Sequence, residues 1–465
     1  MTRYRDLADE LAALITHGTL QVGDRVPSVR DLVRQHGVSP ATAMRAYEVL
    51  ASKDLIEARP RSGYYVSDRW HKRAAPKARR VSAKSTSVAV SELVFDILES
   101  TRDRDVVPLG SAFPSPTLFP WRKLARFLGS SARHMDPWTT VQSLPPGSDE
   151  LRRQIARRYL LAGASVQAEE VIITSGALEA LNLSLAALTR PGDVVAIESP
   201  AFYACLQAIE TAGLKAIEIP THPAHGVDVG ALREAIDKHD IRACWFMPTF
   251  HNPLGASMPD ESKKEMVELL ARRKIPLIED DVYAELHFGE RRRPAKSYDR
   301  QGLVLNCGSF SKSLAPGYRV GWVAAGRFAR EIQRRKVLAT LATSVPVQEG
   351  IAAMLRHEGF DHHLADLRAA LREQQQKTLL SIKRHLPQAR LFVPDGGFFL
   401  WLELPAHVDA TQIYREALAA NISVAPGPMF SARRAYRNCL RINTGHPFTA
   451  SMERAIATLG RLCSQ

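Results

Sequence analysis

The sequence predicts an α/β protein: a mostly parallel sheet covered by helices on both faces, a smaller carboxy-terminal α/β lobe, and a separate small helical module in front. Three observations predict it. From Val106 onward, short apolar runs alternate with helical stretches, the pattern of strands buried on both faces of a parallel sheet. At 465 residues the chain is too long for one compact core. Its charge is also uneven: residues 1–84 hold 16 Lys and Arg against nine Asp and Glu, about half of the net +13 in under a fifth of the length. Such a segment attracts a polyanion, nucleic acid above all.

The elements follow in order. Tyr4, Leu7, Ala8, Leu11, Leu14 and Ile15 fall on one face of a first amphipathic helix, with Gly18 placed to end it. Pro27 and Ser28 precede a short helix with Val29, Leu32 and Val33 inward. Gly37-Val38-Ser39 is a tight turn; Ser39 as N-cap and Pro40 at the first helical position open a third helix that buries Ala43, Ala46, Tyr47 and Leu50. Leu55 to Arg59 and Tyr64 to Val66 read as two strands joined through Pro60 and Gly63. Residues 69–84 carry seven bases and no acid with little apolar periodicity, a linker composition. Ser85 to Thr101 returns to a helical rhythm. The strand candidates of the large domain are Val171–Thr174, Val194–Ile197, Ala243–Met247, Pro276–Glu279 and Leu303–Leu305, and Gly396–Leu402 is a strong strand of the last lobe. The boundaries expected are 1–68 for the module, 69–87 for the linker and 88–465 for the rest, the large domain running from about 145 to 340 and the small lobe comprising 88–144 and 341–465.

Composition excludes several classes. With 45% hydrophobic and 24% charged residues the chain is neither fibrous nor disordered. No run reaches the ~18 apolar residues of a membrane span. No apolar signal core follows Met1 to Arg5, so the cytoplasm is the expected compartment. Cys205, Cys244, Cys307, Cys439 and Cys463 lie far apart without a CxxC pair, which excludes a disulfide scaffold and a zinc ribbon; no metal site is expected.

In the amino-terminal module, two helices meeting at a glycine turn suit a major groove. Ser39 and Thr42 begin the second of these, Arg45 follows one turn later, Arg30 on the preceding helix is placed to clamp a phosphate, and Arg59 and Arg61 lie at the hairpin tip. The stretch resembles the GntR-type winged helix-turn-helix on Gly23–Arg30, Gly37-Val38-Ser39, Thr42, Ala46–Leu50 and Arg61–Val66. Pro40 and Ala41 depart from relatives with polar or basic residues at the helix start. The partner implied is double-stranded promoter DNA.

The sharpest signal is Ser309-Phe310-Ser311-Lys312 followed by Pro316–Trp322. A lysine just after an apolar strand, among hydroxyls and with Arg319 seven residues on, suits a Schiff base with an aldehyde cofactor; neighbouring positive charge and burial favour its neutral amine. Glu279-Asp280-Asp281-Val282-Tyr283 ends another strand, where a buried Asp can pair with a protonated pyridine nitrogen. His251-Asn252-Pro253-Leu254-Gly255 offers an amide, and Thr174–Leu178 offers free N–H groups at a helix start. Residues from about 106 to 463 thereby resemble the fold-type I, pyridoxal-phosphate-dependent aminotransferases of class I. The resemblance implies that Lys312 carries pyridoxal 5'-phosphate, Asp280 pairs with the pyridine nitrogen, and Asn252 and Tyr283 bond the phenolic oxygen. It further implies that Ala177, Leu178, Ser309 and Arg319 hold the phosphate, and that Arg441 in Cys439–Asn443 grips a substrate α-carboxylate. Phe202 takes the ring-stacking place, with Tyr203 beside it as the other candidate.

Winged helix, basic linker and aminotransferase-like domain, in that order, are the organisation of the MocR subfamily of GntR regulators. Leu144–Gly147, Phe202-Tyr203 and Ile278–Tyr283 look closest to its YdcR-type members. That resemblance implies a regulator that senses the cofactor, an amine or an amino acid at Lys312, and a homodimer with exchanged DNA-binding modules. The alternative is a working aminotransferase with an accessory DNA-binding module.

Overall fold

The computed structural model describes residues 3–16, 19–21, 23–52, 55–59, 62–67, 85–88, 94–95, 99, 103, 105–357 and 359–464. Gly18, Pro60, Arg61 and the linker residues 69–84 lie outside these, as do most of residues 89–104.

The amino-terminal module comprises helices α1 (Arg3–Thr16), α2 (Val29–His36) and α3 (Pro40–Ser52) and a hairpin of β1 (Ile56–Arg59) and β2 (Gly63–Val66). Ser28 and Asp31 form a reciprocal capping box at the start of α2. Gly37 ends α2 with φ +60°, a left-handed value that glycine adopts without a Cβ clash. Ala43, Ala46, Tyr47 and Leu50 of α3 are fully buried, as the spacing predicts. Leu14 is a correction: it is 37% exposed while Leu7, Ala8, Leu11 and Ile15 are buried. On a 100° wheel it falls at the edge of the apolar stripe, in the last turn.

The central sheet runs β3 (Thr86–Ser87), β6 (Lys215–His222), β5 (Val194–Ser199), β8 (Ile241–Phe246), β9 (Leu277–Asp280), β10 (Val304–Ser309), β11 (Gly321–Ala324), β4 (Val171–Thr174), with β7 (Gly226–Val227) paired to β6. Strands β6, β5, β8, β9 and β10 are mutually parallel. The antiparallel β11 lies between β10 and β4, so β4 points the same way as the parallel set. Thr86 and Ser87 are a second correction: the helical rhythm expected from Ser85 gives way to an edge strand on β6. Consecutive hydroxyl residues compete for backbone hydrogen bonds and are weak helix formers.

A second, antiparallel sheet runs β12 (Arg390–Leu391), β13 (Phe399–Glu403), β15 (Cys439–Asn443), β14 (Ala425–Pro426). A strap, residues 107–113, leaves this sheet and enters the site: Val107 bridges Ile422, and the Asn443 amide donates to the Leu109 carbonyl at 2.7 Å. Among the described residues no helix is long and apolar enough to cross a membrane.

Candidate functional site

Because β4, β5, β8, β9 and β10 run the same way, their carboxyl ends share one edge of the sheet. Thr174, Ser199, Phe246, Asp280 and Ser309 terminate them, and the residues singled out by sequence follow within a few positions. That edge is where open α/β sheets bind ligands.

Lys312 is half-buried, its Nζ donating to the Ala112 carbonyl at 2.7 Å and lying 3.5 Å from the centre of the Phe113 ring. Burial, together with the Arg441 and Arg319 charges, pulls its pKa down to about 7, Asp280 opposing. An amine lowered this far has a substantial neutral fraction near neutral pH, the form that attacks a carbonyl.

Asp280 is fully buried and, among the described residues, neither carboxylate oxygen has a hydrogen-bond partner. Burial pushes its pKa up to about 7; the nearby Val282 amide and the Lys312 charge oppose the rise, and the Glu198 charge adds to it. A buried orphan carboxylate costs stability unless a cationic group arrives to pair with it.

Arg319, Ser309, Ser311 and the start of the helix Ala177–Leu188 form a cradle. Arg319 donates to Ser311 Oγ at 3.3 Å and to the Ser175 carbonyl at 3.4 Å, and Ser309 Oγ accepts from the Ser311 amide at 2.8 Å. The helix opens on Gly176, which offers no side-chain cap, so the first amides remain for an anion. A Cβ at Gly176 would meet Arg319 Nη2 at 2.4 Å, and one at Gly321 would meet the Gly176 carbonyl carbon at 2.5 Å. Only glycine permits this approach.

Asn252, Tyr283 and Arg441 meet in the structure. Asn252 Nδ2 donates to Tyr283 Oη at 3.4 Å, and its Oδ1 accepts from Arg441 Nη1 at 3.0 Å. Arg441 is buried, its guanidinium 4.4 Å from the Phe399 ring centre. Its Nη2 donates to the Gly110 carbonyl at 2.6 Å and the Ser111 carbonyl at 3.3 Å; Nε has no partner. A carboxylate can bind this fork in two parallel hydrogen bonds only by displacing strap carbonyls. Phe202 is half-buried beside Tyr203, ring centres 4.8 Å apart, while Tyr203 is buried against Phe430.

Sequence reasoning missed two groups. The strap carbonyls of Gly110, Ser111 and Ala112 carry no side-chain signal at all. Glu198 and His251 lay inside quoted or neighbouring strand-end segments but had no role assigned. His251 Nε2 lies 3.1 Å from Glu198 Oε2, both buried, and the Met247 amide donates to that same oxygen at 2.8 Å. The Met247 bond ties the end of β8 to β5.

In the amino-terminal module, Ser39 Oγ accepts from the Thr42 amide at 3.2 Å and shares a 2.9 Å hydrogen bond with the Thr42 hydroxyl. Arg30 and Arg45 are exposed, Arg45 lying 5.1 Å from the Tyr4 ring centre. Arg59 pairs with Glu57 at 3.3 Å and covers the Tyr65 ring at 4.4 Å.

The orphaned Asp280 carboxylate and the glycine-lined cradle fit a group with a cationic ring nitrogen at one end and a phosphate at the other, the chemistry of pyridoxal 5'-phosphate. Comparison with known proteins agrees. Residues 132–459 match the family "Aminotransferase class I and II", and residues 3–66 match "Bacterial regulatory proteins, gntR family". The HTH-type transcriptional regulator YdcR of Escherichia coli is 44% identical over the full length of both chains. YjiR of the same organism is 39% identical, covering 99% of this chain and 98% of its own. Among solved structures, the multiple substrate aminotransferase of Thermococcus profundus superposes with a TM-score of 0.75 at 26% identity, covering 81% of this chain and 95% of its own. LysN, the α-aminoadipate aminotransferase of Thermus thermophilus, solved with N-(5'-phosphopyridoxyl)-L-leucine, gives 0.73 at 29%, covering 80% and 94%. With both halves matched along one chain and full-length relatives of the same order, this chain belongs to the class I and II aminotransferase family in its MocR-type form, a GntR-type DNA-binding regulator fused to a pyridoxal-phosphate aminotransferase-like domain.

Proposed function

We propose that this protein regulates transcription by binding promoter DNA through its winged helix while its aminotransferase-like domain, charged with pyridoxal 5'-phosphate, senses an amine or amino acid. The observation that carries the reading is Lys312, at the same sheet edge as the orphaned, buried Asp280 and the glycine-lined cradle, on the same chain as a helix-turn-helix. Bound there, the cofactor supplies an aldehyde for amines and an electron-withdrawing ring. Lys312 is its covalent anchor and the base that moves a proton at the substrate's Cα. Asp280 holds the ring nitrogen protonated. Asn252 and Tyr283 bond the phenolic oxygen, Phe202 covers the ring face, and Ala177, Leu178, Ser309 and Arg319 grip the phosphate. Arg441 receives the carboxylate of an amino acid once the strap carbonyls yield.

A homodimer belongs to the same reading. Leu178, Val337, Leu338 and Leu341 are 44, 43, 86 and 54% exposed, and Glu179 joins their helices through Lys336 at 2.9 Å and Thr340 at 2.5 Å. An apolar row beside the cradle suits burial against a second copy, and sedimentation at micromolar concentration measures it. A second reading, a working aminotransferase, is favoured by the complete set Lys312, Asp280, Asn252, Tyr283, Arg319 and Arg441.

Spectral titration and gel shift test both. Holo-protein should absorb in the visible and lose that band in Lys312→Ala; amino acids should change the band and the retardation of DNA from upstream of its own gene. Retardation that is absent, with and without cofactor, sinks the regulator. Failure of every amino donor to convert the aldehyde form to its amine form sinks the enzyme.

A further inference from the structure

The hydroxyls that the sequence offers as base readers at the start of α3 largely satisfy each other. Ser39 Oγ takes the Thr42 amide and shares a proton with Thr42 Oγ1, so only one O–H is left between them. Pro40 has no N–H to give. What α3 turns to solvent is instead Ala41, Met44, Arg45 and Glu48, an i, i+3, i+4, i+7 row, with Pro40 exposed just before it. Met44 is 39% exposed although it belongs to a helix whose other face is a tight core. Arg45 leans toward Tyr4 at one side of the row.

Charge does not explain recognition by this module. Residues 1–66 hold nine Lys and Arg against eight Asp and Glu; the basic excess lies in residues 69–84. Arg34 is further paired with Asp31 at 2.9 Å and Arg59 with Glu57 at 3.3 Å. Nonspecific phosphate attraction scales with uncompensated bases, so discrimination by the helical module has to come from short-range contacts. The apolar group that a major groove displays is the thymine C5-methyl.

The geometry points to Met44, with Ala41, as the specificity-determining apolar contact of this regulator, reading thymine methyls in the major groove of its operator. This rests on the winged helix binding duplex DNA. Arg45, adjacent on the row, then faces a guanine or a phosphate. Burying one methyl changes affinity about fourfold.

The test uses the full-length holo-protein. Sites are selected from a random duplex library, and each thymine of the selected half-site is replaced singly by deoxyuridine, which removes only the methyl. The expected result is one or two positions where the replacement weakens binding about fourfold, with that penalty lost in Met44→Ala. Because Met44 is exposed, an unchanged Tm should accompany the variant; Met44→Leu, which keeps apolar bulk, should retain the preference. A selected site whose deoxyuridine forms bind equally well to wild type and Met44→Ala overturns the proposal and leaves the winged-helix reading intact. No enrichment of any sequence, with or without pyridoxal phosphate, overturns both.

Discussion

Asp280 is unfavourable for the empty fold, and on the proposed reading it is the residue a bound cofactor would pair with. Its carboxyl is buried, orphaned, and moved from 3.8 to about 7. Since the folded chain holds that proton more tightly than the unfolded chain, the group's contribution to stability falls as pH rises from about 4 to about 7, and the deficit is complete above 7. Asp280→Asn removes the ionised state while keeping the shape; an orphaned amide costs less than an orphaned carboxylate. The cofactor-free variant should therefore melt higher than the cofactor-free parent at pH 8, by a free energy on the order of 2–4 kcal/mol, and the gain should vanish near pH 4. Its affinity for pyridoxal phosphate should fall, because the ring nitrogen loses its counter-charge. Thermal scans at both pH values and a fluorescence titration check the two halves independently. A gain at pH 4 equal to that at pH 8 would show that charge burial is not the cause.

At the scale of elements, the cradle depends on backbone meeting backbone. Gly321 on β11 pairs with Thr174 of β4, and a Cβ there would lie 2.5 Å from the Gly176 carbonyl carbon and 2.6 Å from the Ala177 nitrogen. Neither is the end of a flexible side chain, so Gly321→Ala should push the helix start away, cost about 1–3 kcal/mol of stability and weaken phosphate-dependent cofactor binding about tenfold or more. Gly317→Ala, where nothing lies within 4 Å, is the neutral control. These elements were legible because several of the candidate residues sit at or just after the carboxyl end of an apolar strand: Asp280 ends β9, Lys312 comes three residues after β10, and Ala177 begins the helix after β4. Other parts carried no such mark. The Gly110 carbonyl meets Arg441 across 331 residues, and backbone oxygens have no residue type to read. The winged-helix core was equally plain from its spacing, whereas the internal pairing of Ser39 and Thr42 was hidden, since a hydroxyl at a helix start suits a cap and a DNA contact alike.

For the whole molecule, regulation requires that ligand and DNA each favour one arrangement of the chain. On the proposed reading the strap supplies two such arrangements. With Gly110 and Ser111 on Arg441 the carboxylate position is filled by the protein itself, and with a carboxylate there those carbonyls must leave. If an amino acid acts through Arg441, the free energy it adds to or takes from DNA binding must reappear when DNA is bound first. A tenfold loss of operator affinity at saturating amino acid therefore requires a tenfold loss of amino-acid affinity at saturating operator. An amine lacking a carboxylate, which has no claim on Arg441, should leave the strap in place and give a smaller factor. Arg441→Lys, which keeps the charge but loses the planar fork, should reduce the amino-acid factor toward that of the amine. Titrating the cofactor band with amino acid in the absence and presence of selected operator duplex measures one side of the cycle, and anisotropy of labelled duplex measures the other. Unequal factors would mean that the two ligands do not act on one shared equilibrium, and equal factors for amine and amino acid would remove Arg441 and the strap from the coupling.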